Sequence, residues 1–255
     1  MSNQTETAPD PQILEHLEEH GYAIIAQALS PQEVEACRTA LNQARANGWE
    51  EGLNEVGNMW FDTMLEKMPE TFAPLVAHSS VRPYLEALMG PQCQLRSFRG
   101  HINPGPYTQE WHMDFYGYWQ QPQAPYAVRG TGINTTFYFQ DNGPGVAQLT
   151  FVKNGHRNAP PRELFDDNGW AHSGLDDWAA TQELETIYPK AGDVVLFFSH
   201  IPHQGAKEDP TVERSNIVCH YQSTPFYEGI AHVSTPRDFR GSFPLAGSKT
   251  AAASY

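Results

Sequence analysis

The chain is short of cysteine, of basic charge and of long apolar runs, and each shortage excludes something. Cys37, Cys93 and Cys219 are its three cysteines, odd in number, far apart and without a C-x-x-C pair. Such a set builds neither a disulfide framework nor a cysteine zinc site. Cys219 lies in the apolar run 216–221 and reads as a small buried hydrophobe. Lys and Arg number 16 against 30 Asp and Glu, for a formal charge of −14. A field of that sign repels a phosphate backbone, so nucleic acid and anionic membrane are excluded as partners. No apolar run approaches the ~20 residues of a membrane-spanning helix. Residues 1–11 are polar, with neither the basic nor the apolar region of a secretory signal. A reduced, cytoplasmic setting is expected.

What is present suffices for a folded core. Hydrophobic residues make up 40% of the 255 positions and aromatics 12%. That composition argues against disorder and fits one domain over 1–255, with tails at 1–10 and 240–255 expected to fray. Two textures divide the chain. The first third is helical. A helix is expected over 11–20, ended by Gly21, then a short strand over 22–26. Ser30-Pro31-Gln32-Glu33 is a helix start, with Ser at the N-cap, Pro first in the helix and Glu placed to reach back. That helix runs to Ala46; 47–62 reads as loop; further helices are expected over 66–78 and 81–89.

From Gln92 on, short alternating or apolar runs are separated by Gly, Pro and Asn, which signals antiparallel β-structure. Strands are expected over 93–103, 111–115, 132–140, 147–153, 183–188, 193–198 and 214–222. The connections 116–130 and 157–182 are longer than turns require, as lids and substrate walls often are.

The chemistry concentrates around Gln-Glu-Trp-His-Met-Asp-Phe at 109–115. His112 and Asp114 are two positions apart, and on a strand such residues face the same way. An imidazole beside a carboxylate is two thirds of a facial two-His, one-carboxylate metal site, the geometry of non-haem Fe(II) oxygenases. The third ligand must come from elsewhere. The buried-type run Asp193-Val-Val-Leu-Phe-Phe leads into Ser199-His200-Ile201-Pro202-His203, so His200 and His203 are both candidates. Eleven residues after His203, Arg214 opens the next strand. A dicarboxylic keto acid that chelates iron through one end needs a planar, bidentate cation at the other, and Arg supplies one.

These residues are connected by a resemblance to the phytanoyl-CoA dioxygenase family of Fe(II)/2-oxoglutarate oxygenases. Leu17-Glu-Glu-His-Gly-Tyr-Ala-Ile-Ile with Leu29-Ser-Pro-Gln-Glu-Val resembles the family's opening segment. Trp111-His-Met-Asp resembles its metal segment. Asn142-Gly-Pro-Gly with Phe151-Val-Lys-Asn-Gly-His resembles its central hairpin, and the stretch from Gly192 through His203 to Arg214 and Cys219-His-Tyr its C-terminal signature. The resemblance implies a mainly β fold: a double-stranded β-helix, or jelly-roll, cupin-like barrel, with an N-terminal helical layer on one sheet. It implies His112, Asp114 and His203 as ligands of Fe(II), and Arg214 as the anchor of 2-oxoglutarate, with O2 as the oxidant. The implied reaction is oxidation, foremost hydroxylation, of a small molecule by a monomer or homodimer.

The chain departs from the family where Gln204-Gly205-Ala206 replaces a Gly-Ser and Lys153-Asn154-Gly155 replaces Pro-Gly-Ser. Gln109, Asn134 and Thr136 are candidates for the co-substrate contacts this removes. Phe115, Tyr116, Tyr118 and Trp119 follow the metal segment and are candidate pocket walls for an apolar or ring-bearing secondary metabolite. Arg96 could bind a substrate carboxylate, which suits an amino-acid-like compound instead. His101, His156, His172, His200 and His220 read as structural. A contrasting expectation is a cupin-like isomerase or ligand-binding module that uses no 2-oxoglutarate; such a protein has no need of Arg214.

Overall fold

The computed structural model describes residues 8–89, 93–114, 132–158, 160–165 and 174–223, without the side chains of Gln94, Arg96, Gln222 and Ser223. Helix α1 (Pro11–His20) starts where the Asp10 carboxylate accepts the Gln12 N–H at 2.9 Å. It stops at Gly21, whose φ of 85° only glycine adopts without strain. Asp10 is held in place, since its own N–H also donates to the Tyr84 hydroxyl at 3.2 Å; residues 1–7 of the tail expected over 1–10 lie outside the described residues. Strand β1 (Tyr22–Ile25) follows. Helix α2 (Pro31–Ala46) opens with the expected reciprocal bonds between Ser30 and Glu33.

The stretch expected as loop contains two short strands, β2 (Gly52–Leu53) and β3 (Met59–Phe61). Pairing with a neighbouring strand outweighed their weak local signal. The helix expected over 66–78 is two, α3 (Met64–Lys67) and α4 (Pro69–Val76), because Pro69 cannot continue a helix but can begin one. Helix α5 (Arg82–Met89) completes the layer.

The β-region comprises β4 (Cys93–Asn103), β5 (Tyr107–Thr108), β6 (Gly132–Tyr138), β7 (Ala147–Val152), β8 (Leu184–Ile187), β9 (Val194–Phe198), β10 (His203–Lys207) and β11 (Arg214–Ser223), with the short helix α6 (Gly174–Ala179) between β7 and β8. Neither β5 nor β10 is signalled by the sequence: β5 is two residues long, and β10 (His-Gln-Gly-Ala-Lys) is made of residues of low strand propensity. A seven-stranded sheet runs β1-β9-β6-β11-β4-β3-β2 and a four-stranded sheet β5-β10-β7-β8. Every pairing within the two sheets is antiparallel.

Alternation assigns the two faces of the large sheet. In β9, Val194, Leu196 and Phe198 point to the helical layer, where they join Leu41, Phe72 and Leu85. Val195 and Phe197 point the other way and meet Leu149 and Phe151 of the small sheet. The same rule along β11 sends Ile217, Cys219 and Tyr221 to the helices and leaves Arg214, Asn216, Val218 and His220 facing a cavity between the sheets. This is the jelly-roll architecture with a helical layer on one sheet.

Candidate metal centre

The segment carrying His112 and Asp114 is not the strand expected over 111–115. It makes only an isolated bridge, between His112 and His203. The two residues exchange both backbone bonds, at 3.1 and 3.0 Å, and the Asp114 N–H donates to the Ser199 carbonyl at 2.8 Å. Alternation survives without a ladder. Trp111 and Met113 are buried against Phe165, Leu175 and Ala179, so His112 and Asp114 face the cavity. His203 enters from the first position of β10, with its ring 4.7 Å from that of Phe197 and 6.1 Å from that of Phe151. Packing on two aromatic rings fixes its rotamer.

The three side chains converge. One ligand atom from each of His112, Asp114 and His203 lies within 4.8 Å of the others. Asp114 Oδ1 is 3.9 Å from His112 Nε2, and Oδ2 is 3.4 Å from His203 Nε2. Both imidazoles are set in one tautomer. His112 Nδ1 donates to the Glu110 carbonyl and His203 Nδ1 to the Ile201 carbonyl, each at 2.9 Å. A carbonyl only accepts, so each Nδ1 carries the proton and each Nε2 keeps a lone pair for a metal.

The electrostatics agree. Burial, then the neighbouring His203, lowers the His112 pKa to about 4, so the ring is neutral at physiological pH. Burial works to raise Asp114, but His220 and His203 outweigh it and hold the carboxyl well below its usual range. Two imidazole nitrogens and one carboxylate oxygen form the donor set that a divalent metal with open positions requires, and the residues fit iron(II).

Arg214 faces the same cavity, of about 710 Å³. It is 7% exposed, and its guanidinium has no hydrogen bond or ion pair among the described residues. Burial alone lowers its pKa to about 10, which leaves it charged. Uncompensated buried charge costs several kcal/mol. It is retained where a ligand supplies the counter-charge.

The other expected residues divide. Asn134 is committed to the metal segment: its amide donates to Asp114 Oδ2 while its carbonyl accepts from Ser199 Oγ at 2.7 Å. Gln109 Nε2 donates to His112 Nε2 at 3.2 Å. Thr136 lines the cavity. His200, the alternative third ligand, is turned away, its Nε2 donating to the His156 carbonyl at 3.1 Å. Phe115, Tyr116, Tyr118, Trp119, His172 and the Arg96 side chain lie outside the described residues. His220, expected to be structural, sits beside the candidate ligand, with its Nε2 3.5 Å from Asp114 Oδ2. Its spacing of six from Arg214 on one strand face was the available signal.

A jelly roll with two histidines and an aspartate around one point defines a non-haem metal enzyme of the double-stranded β-helix class. The profile of the phytanoyl-CoA dioxygenase (PhyH) family matches residues 17–209. The chain therefore belongs to that family, and is an iron- and 2-oxoglutarate-dependent enzyme. No curated protein matches this sequence. Among solved structures, it is similar to the 2-oxoglutarate-dependent epimerase SnoN of nogalamycin biosynthesis, with TM-score 0.67 and 16% identity over 90% of this chain and 98% of that one. The carbocyclase SnoK of the same biosynthesis gives 0.69 and 19% over 88% of each chain. EctD from S. alaskensis, solved with 2-oxoglutarate and 5-hydroxyectoine, gives 0.65 and 17% over 88% of this chain and 79% of that one. At these identities the likenesses establish a shared fold.

Proposed function

We propose that the protein oxidises a C–H bond of a small molecule, with hydroxylation as the outcome, at a metal held by His112, Asp114 and His203. The observation that carries this reading is the Arg214 guanidinium, buried in the same cavity as the triad with no hydrogen-bond or ion-pair partner among the described residues. Bound iron, with 2-oxoglutarate and O2, supplies the oxidising power, and succinate and CO2 are released.

The chain's own residues do the rest. Arg214 takes the far carboxylate of the co-substrate in a bidentate contact, which orients its keto-acid end toward the triad. Tyr107 and Tyr138 flank the guanidinium, with ring centres 5.8 and 5.6 Å from its central carbon, and shield it from water. Asp114 fills the carboxylate position, which argues for oxygen transfer over halogenation. A cupin-like isomerase would leave Arg214 without a purpose.

The cavity wall is mixed: His101, Asn103, Asn216 and Thr136 line it together with Met59, Trp60 and Phe165. Arg99 also lines it but is held by Asp62 through two bonds of 2.6 and 3.0 Å. Such a wall suits a compact molecule that presents both an apolar face and polar groups. Secondary metabolites and amino-acid-like compounds remain the two substrate classes. The reading takes the chain as one cytoplasmic domain, acting as a monomer or homodimer.

The test begins with anaerobic addition of Fe(II) and 2-oxoglutarate, which should give a visible charge-transfer band that Asp114→Ala abolishes. Screening polar metabolites by succinate release then finds the substrate. A product that gains one oxygen atom supports hydroxylation; a product of unchanged mass would replace it with epimerisation. Retained turnover in Asp114→Ala would refute the metal assignment.

A further inference from the structure

Asp114 sits on backbone outside both sheets, so no ladder fixes the aim of its carboxylate. Something else must. Three residues stand in one row beneath it, on three adjacent strands. His220 of β11 is opposite Ser97 of β4 on one side and Asn134 of β6 on the other. The row exists because of a register shift between His220 and Tyr221. In β4, Cys93 and Leu95 are buried toward the helices, and strict alternation would send position 97 the same way. The shift reverses the parity, and Ser97 turns to the cavity and to His220.

Within the row the donors are ordered. Ser97 Oγ is 2.5 Å from His220 Nδ1. With the serine donating, His220 carries its proton on Nε2, which faces Asp114 Oδ2 at 3.5 Å. The reverse tautomer would set a lone pair against a carboxylate. The Asn134 amide donates to the same oxygen and is itself braced by Ser199. Both contacts fall on Oδ2, the oxygen that also lies 3.4 Å from His203 Nε2, while Oδ1 is the oxygen toward His112.

We propose that Ser97, His220 and Asn134 are positioning residues that hold Asp114 by Oδ2 and so fix the aim of its carboxylate at the metal. The proposal rests on the reading of His112, Asp114 and His203 as ligands. It does not depend on 2-oxoglutarate or substrate, so binding of metal alone tests it.

Purified, metal-free protein is titrated with Mn(II), with free Mn(II) followed by electron paramagnetic resonance. His220→Leu and Ser97→Ala should each weaken binding, by about 10- to 100-fold for the former. His220→Gln, whose amide nitrogen can reach the Nε2 position, should recover most of the loss. A merely structural histidine would show no such recovery. The thermal midpoints of the metal-free variants report folding, and Ser97→Ala, the smaller change, keeps the test open should His220→Leu fail to fold. Binding by His220→Leu or Ser97→Ala at native strength overturns the proposal and leaves the ligand assignment standing. Equal losses in His220→Gln and His220→Leu also overturn it. Absence of binding by the native protein overturns both.

Discussion

The guanidinium carbon of Arg214 lies 5.6 Å from the centre of the Tyr138 ring, and among the described residues no carboxylate is within ion-pair reach of it. An aromatic face offsets part of the desolvation of a cation, not all of it. The residual cost makes a prediction with two opposite signs. Arg214→Met should raise the thermal midpoint of the metal-free protein by several degrees, because an uncompensated buried charge is removed. The same change should abolish saturation by 2-oxoglutarate. Arg214→Lys should keep the charge, lose the bidentate contact and raise KM for 2-oxoglutarate about tenfold or more. A fall in the midpoint of Arg214→Met would mean that the guanidinium is already satisfied.

Gly205 gives a gain-of-contact prediction. A Cβ there would lie 3.3 Å from Gln109 Oε1, 3.6 Å from the Tyr107 hydroxyl and 3.7 Å from Arg214 Nη1, so a small side chain fits with a slight yield by Gln109. Gly205→Ser should fold normally and set a hydroxyl beside the guanidinium. A typical hydrogen bond contributes about 0.5–1.5 kcal/mol net, so KM for 2-oxoglutarate should fall by about two- to tenfold. Gly205→Leu should raise it sharply. Unchanged KM values in both variants would place the far carboxylate elsewhere.

Gln109 stands on the lone pair that His112 would offer a metal, with its Nε2 at 3.2 Å. Metal binding must break that bond. Gln109→Ala removes a contact of about 0.5–1.5 kcal/mol from the metal-free state only, so Fe(II) affinity should rise by about two- to tenfold. Should Gln109 turn to the co-substrate once displaced, the same variant raises KM for 2-oxoglutarate, and the two effects separate in one set of titrations. Weaker metal binding in Gln109→Ala would contradict the competition.

Stability of the metal-free protein should depend on pH. Burial lowers His112 and His200 to about 4 and His101 to about 3, from an ordinary 6.5. His203 adds to the effect at His112, and Arg99 and Arg214 at His101. Below pH 6.5 the unfolded chain takes up protons at these positions that the folded chain refuses. Stability is therefore full above about pH 6.5 and falls as pH drops from there toward 4. Asp114 stays ionised throughout that window. Denaturant midpoints at pH 7.5 and pH 5 check this, and equal values would show the imidazoles to be solvated.

Much of the site is legible because its chemistry is local. His112 and Asp114 share a face through simple alternation, even though among the described residues their segment makes an isolated bridge and no ladder. The capped start of α2 and the two-faced pattern of β9 are likewise written in short-range spacing. The strands β5 and β10 are not, since pairing partners far along the chain create them.

The sequence by itself determined the ligand types, their order and the family to which the chain belongs. Only the tertiary structure turned His203 into the cavity and His200 away from it, left Arg214 buried with no ion-pair partner among the described residues, and set Ser97 opposite His220. Periodicity is a property of neighbours along the backbone. Cross-strand register, and the bulge that reverses it, are fixed by packing between segments that the sequence holds more than a hundred residues apart.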